Sequence, residues 1–266
     1  MREESKNRYV DRKLYFDELC ETAEQFYIEY LKKFKEINTD TRILEIGCGE
    51  GGNLLPFARM GCYVAGFDLS QRKIENAKTF FEAEGTVADF FCADVLSDNP
   101  FEGAEKFDIL LIHDVFEHIE QPFKHLFFER IKAFLKDEGI VFFGFPAWQM
   151  PFGGHQQTCR SKAAKLPFIH LLPTSLYRRY LLAFKEDPAA VEDLMSIKRS
   201  SVTVEHFENL CKDCNYRILE RQLWLVSPHY RAKFGFTPRK LSRCIAAIPC
   251  LRNFFSTSCF YVVKPE

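Results

Sequence analysis

The stretch that decides the fold is Arg42-Ile43-Leu44-Glu45-Ile46-Gly47-Cys48-Gly49-Glu50-Gly51-Gly52. Its first five residues predict a buried β-strand, and the glycines that follow let the backbone turn sharply and approach a ligand closely. Gly47, Gly49 and Gly52 also satisfy the spacing G-x-G-x-x-G, which alone is a weak indication of nucleotide binding. The stretch therefore predicts a strand that ends in a ligand-binding loop.

Strands and helices alternate from this loop onward. Four further strands are predicted at 63–67, 87–92, 107–112 and 140–145. Helices are predicted between them at 53–60, 71–84 and 122–137. This order predicts an α/β fold, a doubly wound, Rossmann-like and mainly parallel sheet with helices on both faces.

The remaining segments complete a single domain over 1–266. Strands at 216–226 and 258–263 bring the predicted sheet to seven strands. An amphipathic helical pattern predicts an N-terminal cap at 1–38, before a cofactor-binding core at 40–146. Residues 147–202, after strand five, predict a helical insertion or substrate-side lid. Residues 203–266 supply the rest of the sheet, with a second helical excursion at 228–255 before the last strand.

Composition and charge limit the class of protein. No apolar run reaches the ~18 residues of a membrane-spanning helix. The charged first residues lack the apolar segment of a secretory signal, and ten cysteines are scattered, so we expect a cytoplasmic protein with free thiols. Acidic residues are in excess up to residue 150 and basic residues beyond it. The oligomeric state does not follow from the sequence.

The candidate ligand residues follow four different predicted strands. Gly47, Asp68, Asp94 and His113 all lie at strand carboxyl ends, where open α/β sheets bind their ligands. Asp68 comes about 20 residues after the first glycine, where a ribose-binding carboxylate belongs. This position suits a pyridine dinucleotide and a cationic adenosine donor equally.

Acidic residues around the loop distinguish between these two candidate ligands. Glu45 precedes the first glycine by two positions and would repel a pyrophosphate, whereas S-adenosylmethionine carries a positive sulfonium and an ammonium group. Asp94 and Asp114 add further acid to the same rim. A second nucleotide-binding half is also missing after strand five. The pattern favours the cationic donor, with an NAD-dependent oxidoreductase as the alternative.

Four motifs resemble those of class I S-adenosylmethionine-dependent methyltransferases. Residues 45–51 resemble their E-x-G-x-G-x-G signature, and Phe67-Asp68-Leu69-Ser70 and Ala93-Asp94-Val95 resemble their second and third motifs. Residues 108–119 resemble the fourth-strand motif of the ubiquinone-biosynthesis-like branch. The resemblance covers about residues 40–145 and implies S-adenosylmethionine as the cofactor.

The resemblance also implies roles for individual residues. The backbone near Gly47 would meet the methionine moiety, Asp68 would accept hydrogen bonds from the ribose hydroxyls, and Asp94 would reach the adenine amino group. The full set of cofactor-binding residues that we expect is Glu45, Gly47, Cys48, Gly49, Gly51, Asn53, Asp68, Leu69, Ser70, Asp94, Val95, His113, Asp114 and Val115.

Methyl transfer to a hydroxyl needs alignment and a base. Alignment alone can supply ~7–11 kcal/mol, and a base takes the hydroxyl proton. Histidine suits this role because its ordinary pKa is about 6.5. His155, aimed by Gly153-Gly154, is the first candidate and His118 the second, while a loop histidine with one local hydrogen bond is the alternative for His155. Glu117 is expected in solvent, and no cluster of metal ligands is found.

The acceptor is predicted only as a class. Residues 151–155 and 167–172 resemble insertions in methyltransferases of bacterial surface-polysaccharide clusters, which implies methylation of a sugar or related hydroxyl. Basic residues after 151 could attract an anionic or lipid-linked acceptor. Apolar residues between them leave two alternatives open, a helix on a membrane surface and a lid packed on the core. A nucleic-acid methyltransferase is disfavoured by the isoelectric point near 6.7.

Overall fold

The central feature of the described part of the chain is one eight-stranded sheet. The computed structural model describes residues 11–266. The strands are β1 (Arg42–Ile46), β2 (Tyr63–Asp68), β3 (Asp89–Cys92), β4 (Phe107–His113), β5 (Leu135–Phe145), β6 (Tyr216–Val226), β7 (Arg239–Lys240) and β8 (Ser258–Pro265). Their order is β3-β2-β1-β4-β5-β8-β6-β7. The first five are parallel, whereas β8 is antiparallel to both of its neighbours and β7 to β6.

Helices cover the sheet and form the insertion. They are α1 (Arg12–Thr22), α2 (Ile28–Leu31), α3 (Leu55–Arg59), α4 (Gln71–Ala83), α5 (Lys124–Lys132), α6 (Thr174–Ala183), α7 (Pro188–Ser200), α8 (Val204–Asp213), α9 (His229–Phe234), α10 (Arg243–Ala246) and α11 (Leu251–Phe255). A π-helical turn, Ala23–Tyr27, joins α1 to α2. None of the helices within residues 11–266 is long and apolar enough to cross a bilayer.

Side chains of the central strands are buried on both faces of the sheet. Leu44, Leu110 and Ile112 belong to one hydrophobic core, and Ile43 and Ile109 belong to a second core on the opposite face. Successive side chains of a strand point to opposite faces, so a strand covered on both sides must be apolar throughout. This requirement explains the nearly continuous apolar run of β4, which lies between β1 and β5.

The predicted insertion has a small core of its own. Helices α6 and α7 bury Tyr177, Leu181, Leu194 and Met195 together with Cys159. The segment therefore packs as a helical unit beside the sheet, as predicted. The division of the chain into cap, core, insertion and remainder stays a prediction, and residues 1–10 of the predicted cap lie outside the described residues.

The structure confirms the fold class and corrects the strand count. The strand that was not predicted is β7, which lies inside the segment predicted as a helical excursion. It was missed because two residues paired with β6 are too few to leave a periodic pattern. Strand β3 begins two residues later than predicted. Strand β5 begins at Leu135 rather than 140, because Leu135 pairs with Phe107 ahead of a register shift.

Candidate functional site

The glycine loop is shaped by contacts that exclude a side chain. Gly47 has a φ of +72°, and a Cβ there would lie 2.3 Å from Cγ2 of Val115. Gly51 has a φ of +82°, and its Cβ would lie 2.8 Å from the Phe90 ring. Both positions combine a left-handed backbone with close packing, so only glycine fits. The loop is thereby held at the carboxyl end of β1.

Asp68, the last residue of β2, fixes this loop to the neighbouring strand. Its Oδ2 accepts a hydrogen bond from the Gly49 amide at 3.0 Å, and its Oδ1 accepts one from the Ser70 amide at 2.9 Å. Lys73 Nζ lies 3.4 Å from Oδ2. The carboxylate therefore points into the space between the loop and the start of α4.

A cavity of about 570 Å³ opens at these strand ends. Among the predicted cofactor residues it is lined by Gly47, Asp68, Leu69, Ser70, Asp94, Val95, Asp114 and Val115, and His118 also lines it. Glu45, Cys48, Gly49, Gly51, Asn53 and His113 do not line it. A cavity of about 640 Å³ lies elsewhere, beside β6 and β7, and contains none of the predicted site residues.

Glu45 supports the loop from beneath instead of facing the cavity. It is 1% exposed, and its Oε1 accepts a hydrogen bond from the Asn53 amide at 2.6 Å. Burial raises the pKa of Glu45 to about 8, although the hydrogen bond from Asn53 acts in the opposite direction. The carboxylate side chains that line the cavity are those of Asp68, Asp94, Asp114 and Glu120.

A cavity of about 140 Å³ adjoins the 570 Å³ cavity, since Asp114 lines both. These two are called the smaller and the larger cavity below. The wall of the smaller cavity includes the predicted base His155 and the predicted cofactor residue His113. Three further wall residues, Tyr15, Ser227 and Tyr230, were not predicted, because α1, the end of β6 and α9 reach this place only through tertiary packing. His229 also lines this cavity.

Asp114 belongs to the walls of both cavities. It follows β4 directly and adopts a left-handed backbone conformation with a φ of 53°. Non-glycine residues rarely adopt this conformation, and asparagine and aspartate do so more readily than most. This backbone conformation places the Asp114 carboxylate between the two cavities.

The loop that carries His155 is supported by another histidine. His155 has a φ of 56°, and a Cβ on Gly154 would lie 2.3 Å from Cβ of His170. The Gln156 side-chain amide donates to His170 Nδ1 at 3.1 Å, so Nε2 carries the proton and donates to the Trp148 carbonyl at 2.8 Å. His170 is a fully buried support of the loop.

His155 faces Glu117 and His118. Its Nε2 lies 3.9 Å from Glu117 Oε1, and its ring centroid lies 5.0 Å from that of His118. Burial lowers the pKa of His155 to about 4, so its imidazole is neutral near pH 7. The pKa of His118 is also lowered, chiefly by burial.

Glu117 corrects the expectation of a carboxylate in solvent. It is 4% exposed, and neither of its oxygens has a hydrogen-bond partner among the described residues. Ligand atoms of Glu117, His118 and His155 all lie within 4.8 Å of one another. These three residues could hold a metal ion, and sequence spacing did not indicate this because His155 comes after β5.

Hydrogen bonds from two basic side chains fix the insertion to the rim of the larger cavity. Arg199, near the end of α7, donates two hydrogen bonds to Glu120, at 3.0 and 2.7 Å. The buried Lys124 donates to the Phe116 carbonyl and to Ser200 Oγ, both at 3.0 Å. Burial lowers the pKa of Lys124 to about 7. The insertion is thus joined to the turn that carries Glu117.

Comparisons with known proteins agree with this geometry. Residues 43–139 match a family model described as a methyltransferase domain. A ubiquinone biosynthesis O-methyltransferase of Histophilus somni is 27% identical over 131 residues, which cover 46% of this chain and 54% of that protein. One from a Chelativorans species is 39% identical over 103 residues, which cover 38% of each chain. The chain spans about half or less of the length of these curated relatives.

Solved structures share the fold over nearly the whole chain. An S-adenosylmethionine-dependent methyltransferase from Clostridium acetobutylicum superimposes with a TM-score of 0.57 at 14% identity, covering 92% of both chains. The PH0226 protein from Pyrococcus horikoshii gives a TM-score of 0.58 at 16% identity, covering 91% of this chain and 89% of that one. The plantazolicin methyltransferase BpumL with bound SAH gives 0.54 at 16% identity, covering 99% and 89%.

Proposed function

We propose, on the premise that residues 43–139 form a methyltransferase domain, that the chain transfers a methyl group from S-adenosylmethionine to a hydroxyl oxygen. The observation that carries this proposal is the junction of two cavities at Asp114. A donor in the larger cavity and an acceptor in the smaller one would face each other across one carboxylate. Such an arrangement supplies the alignment that methyl transfer requires.

The larger cavity fits the cofactor in size and charge. Its volume of about 570 Å³ lies within the ~300–1,000 Å³ typical of small-molecule sites. Asp68, Asp94 and Asp114 give its wall an acidic excess over Lys73, whereas Glu120 on the same wall is paired with Arg199. This excess suits a cation and disfavours a pyrophosphate. When bound, S-adenosylmethionine supplies a methyl group activated by its positive sulfur.

The smaller cavity fits the reacting end of an acceptor. At about 140 Å³ it has room for a small group only, so a larger acceptor would extend into solvent. His155 lies in its wall with a neutral imidazole, because its pKa is lowered to about 4 by burial. A neutral imidazole can accept a hydroxyl proton. We therefore assign His155 as the base, with His118 beside it.

We extend the proposal to a small-molecule or glycan acceptor that carries negative charge. Five basic residues beyond residue 150 form ion pairs with carboxylates: Arg178 with Glu192, Arg199 with Glu120, Arg221 with Glu208, Arg252 with Glu205 and Lys264 with Glu138. Arg160, Lys162 and Lys165 are exposed residues of the insertion. These three are the cations that we expect to attract an anionic acceptor.

Exposed apolar side chains on the insertion support a further version of this proposal. In it, the acceptor is linked to a lipid, or the insertion contacts a membrane surface. Leu166 and Leu176 are each 50% exposed on the insertion, and Phe168 and Leu182 are similarly exposed. Exposed apolar side chains beside lysine and arginine are typical of surfaces that contact a bilayer. Sedimentation of the protein with vesicles of anionic lipid tests this point, and absence of co-sedimentation contradicts it.

Titration calorimetry tests the cofactor assignment. We expect S-adenosylmethionine and S-adenosylhomocysteine to bind at one site per chain, and NAD to give no heat of binding. Transfer of a labelled methyl group to a panel of sugar and phenol hydroxyls then tests the reaction. Binding of NAD without binding of the sulfonium compound would overturn the proposal in favour of an oxidoreductase.

A further inference from the structure

Helix α1 is joined to the glycine loop by a partly buried ion pair between Arg12 and Glu50. Arg12 Nε donates to Glu50 Oε1 at 2.7 Å, and its Nη2 donates to Oε2 at 2.6 Å. The Glu50 side chain is 1% exposed and that of Arg12 is 23% exposed. A planar guanidinium that meets both carboxylate oxygens fixes direction as well as distance. Glu50 is part of the loop itself, so this pair joins α1 to the loop.

Further along α1, at Phe16 and Leu19, the helix lies directly against Gly52 of the loop. A Cβ on Gly52 would lie 2.5 Å from the Phe16 carbonyl oxygen and 2.8 Å from Leu19 Cβ. Glycine at position 52 is therefore needed for this close approach. The ion pair and the close backbone contact together fix the position of α1 on the loop.

The same helix also reaches the smaller cavity. Tyr15 lies in the wall of that cavity, and its ring centroid is 6.1 Å from that of His229. The guanidinium carbon of Arg12 lies 5.0 Å from the centre of the Tyr15 ring. Helix α1 therefore contacts the glycine loop through Arg12 and the proposed acceptor space through Tyr15.

We infer that Arg12 is a positioning residue, which holds the glycine loop in its ligand-binding conformation through Glu50. Removing the guanidinium leaves a buried carboxylate without its partner, and such a charge is strongly unfavourable. The loop would relieve this by moving Glu50 toward solvent, which displaces the adjacent Gly49 and Gly51. The inference rests on the proposed function, because the loop is assigned there to the cofactor.

Calorimetry with S-adenosylhomocysteine on Arg12→Gln and Lys13→Gln tests the inference. Lys13 is a matched control, because it lies on the same helix and pairs with Asp17 and Glu84 without touching the loop. We expect the dissociation constant to rise about tenfold or more in Arg12→Gln, equivalent to ~1.4 kcal/mol. In Lys13→Gln it should stay within about twofold of the unchanged protein, a difference of less than ~0.5 kcal/mol.

A double variant separates positioning from simple destabilisation. Arg12→Gln with Glu50→Gln removes the unpaired charge, so it should bind more tightly than Arg12→Gln alone. If Arg12→Gln does not fold, Arg12→Lys replaces it, and we expect weaker binding there because an ammonium cannot meet both oxygens in a planar fork.

The outcomes distinguish this inference from the proposed function. Failure of the unchanged protein to bind S-adenosylhomocysteine would refute the proposed function. Binding by the unchanged protein with equal affinity in the Arg12 and Lys13 variants would refute the positioning role alone. A fall in the unfolding midpoint without a change in affinity would also refute it, because that result describes a purely structural pair.

Discussion

The imidazole of His155 and the carboxyl of Glu117 lie side by side, with Nε2 3.9 Å from Oε1, although β5 separates them in the chain. Burial raises the pKa of Glu117 well above its ordinary value, and the charge of Asp114 raises it further. Burial lowers the pKa of His155 to about 4. The His155 imidazole is therefore neutral near pH 7 and keeps a lone pair for a proton, while burial shifts the Glu117 carboxyl toward its protonated form.

Replacing His155 by alanine should separate catalysis from cofactor binding. We expect methyl transfer to fall by ~10²–10⁴-fold, the usual contribution of a general base, because the histidine faces the acceptor cavity. Affinity for S-adenosylmethionine should stay unchanged, since His155 does not line the larger cavity. Initial rates with an active acceptor and calorimetry measure the two quantities. The exposed His125 provides the control His125→Ala, and equal rates in both variants would remove His155 as the base.

Asp68→Ala should abolish measurable cofactor binding. The carboxylate accepts hydrogen bonds from the amides of Gly49 and Ser70, and charge-assisted bonds contribute ~1.5–3 kcal/mol each. Losing them together with the proposed ribose contacts should raise the dissociation constant by about 100-fold or more. The exposed Glu82 on α4 gives a control, Glu82→Ala, for loss of an acidic group. Unchanged affinity in Asp68→Ala would refute the ribose assignment.

Gly47→Ala and Gly85→Ala form a matched pair with different expected results. Both glycines have positive φ, 72° and 66°. Of the two, only Gly47 would bring a Cβ against a neighbour among the described residues, 2.3 Å from Val115. Gly85→Ala should reduce the free energy of unfolding by about 1–2 kcal/mol, the cost of a left-handed alanine. Gly47→Ala should also displace the loop and remove cofactor binding. Denaturant unfolding and calorimetry measure both, and equal binding by the two variants would contradict the crowding argument.

Glu45 should make the stability of the protein depend on pH. The folded chain holds the Glu45 proton up to a pKa of about 8, whereas the ordinary value is 4.5. Between these pH values the folded state binds more protons than the unfolded state, so its stability falls as pH rises. Glu45→Gln has no proton to lose. Urea unfolding from about pH 5 to about pH 8.5 should show unchanged protein losing stability relative to Glu45→Gln, and a constant difference would disprove the shift.

The strand order of the first half could be predicted because its signals are local. Strand β2 ends at Asp68 and helix α4 spans Gln71–Ala83, within a residue of the predicted bounds. Parallel strands buried on both faces must be apolar along their length, and glycine, proline and capping residues mark where they end. Strand β7 left no such signal, because its two residues, paired with β6, are too few to form a periodic pattern.

The candidate site was predictable only where it follows the strands. Asp68, Asp94 and Asp114 line the larger cavity, since the carboxyl ends of parallel strands meet at one edge. Glu45 was predicted to act on the ligand by its charge, yet it is buried beneath the loop. Its distance from the glycines is fixed by sequence, but the direction of its side chain is fixed by packing.

By itself the sequence determined the parallel half of the sheet, the glycine loop and the row of acidic residues at the strand tips. Tertiary structure alone decided that Glu117 is buried against His155, that α1 holds the loop through Arg12 and Glu50, and that two cavities meet at Asp114. Local features follow from the periodicity and backbone preferences of neighbouring residues. Contacts between distant segments depend on how the elements pack, and no short-range pattern records that.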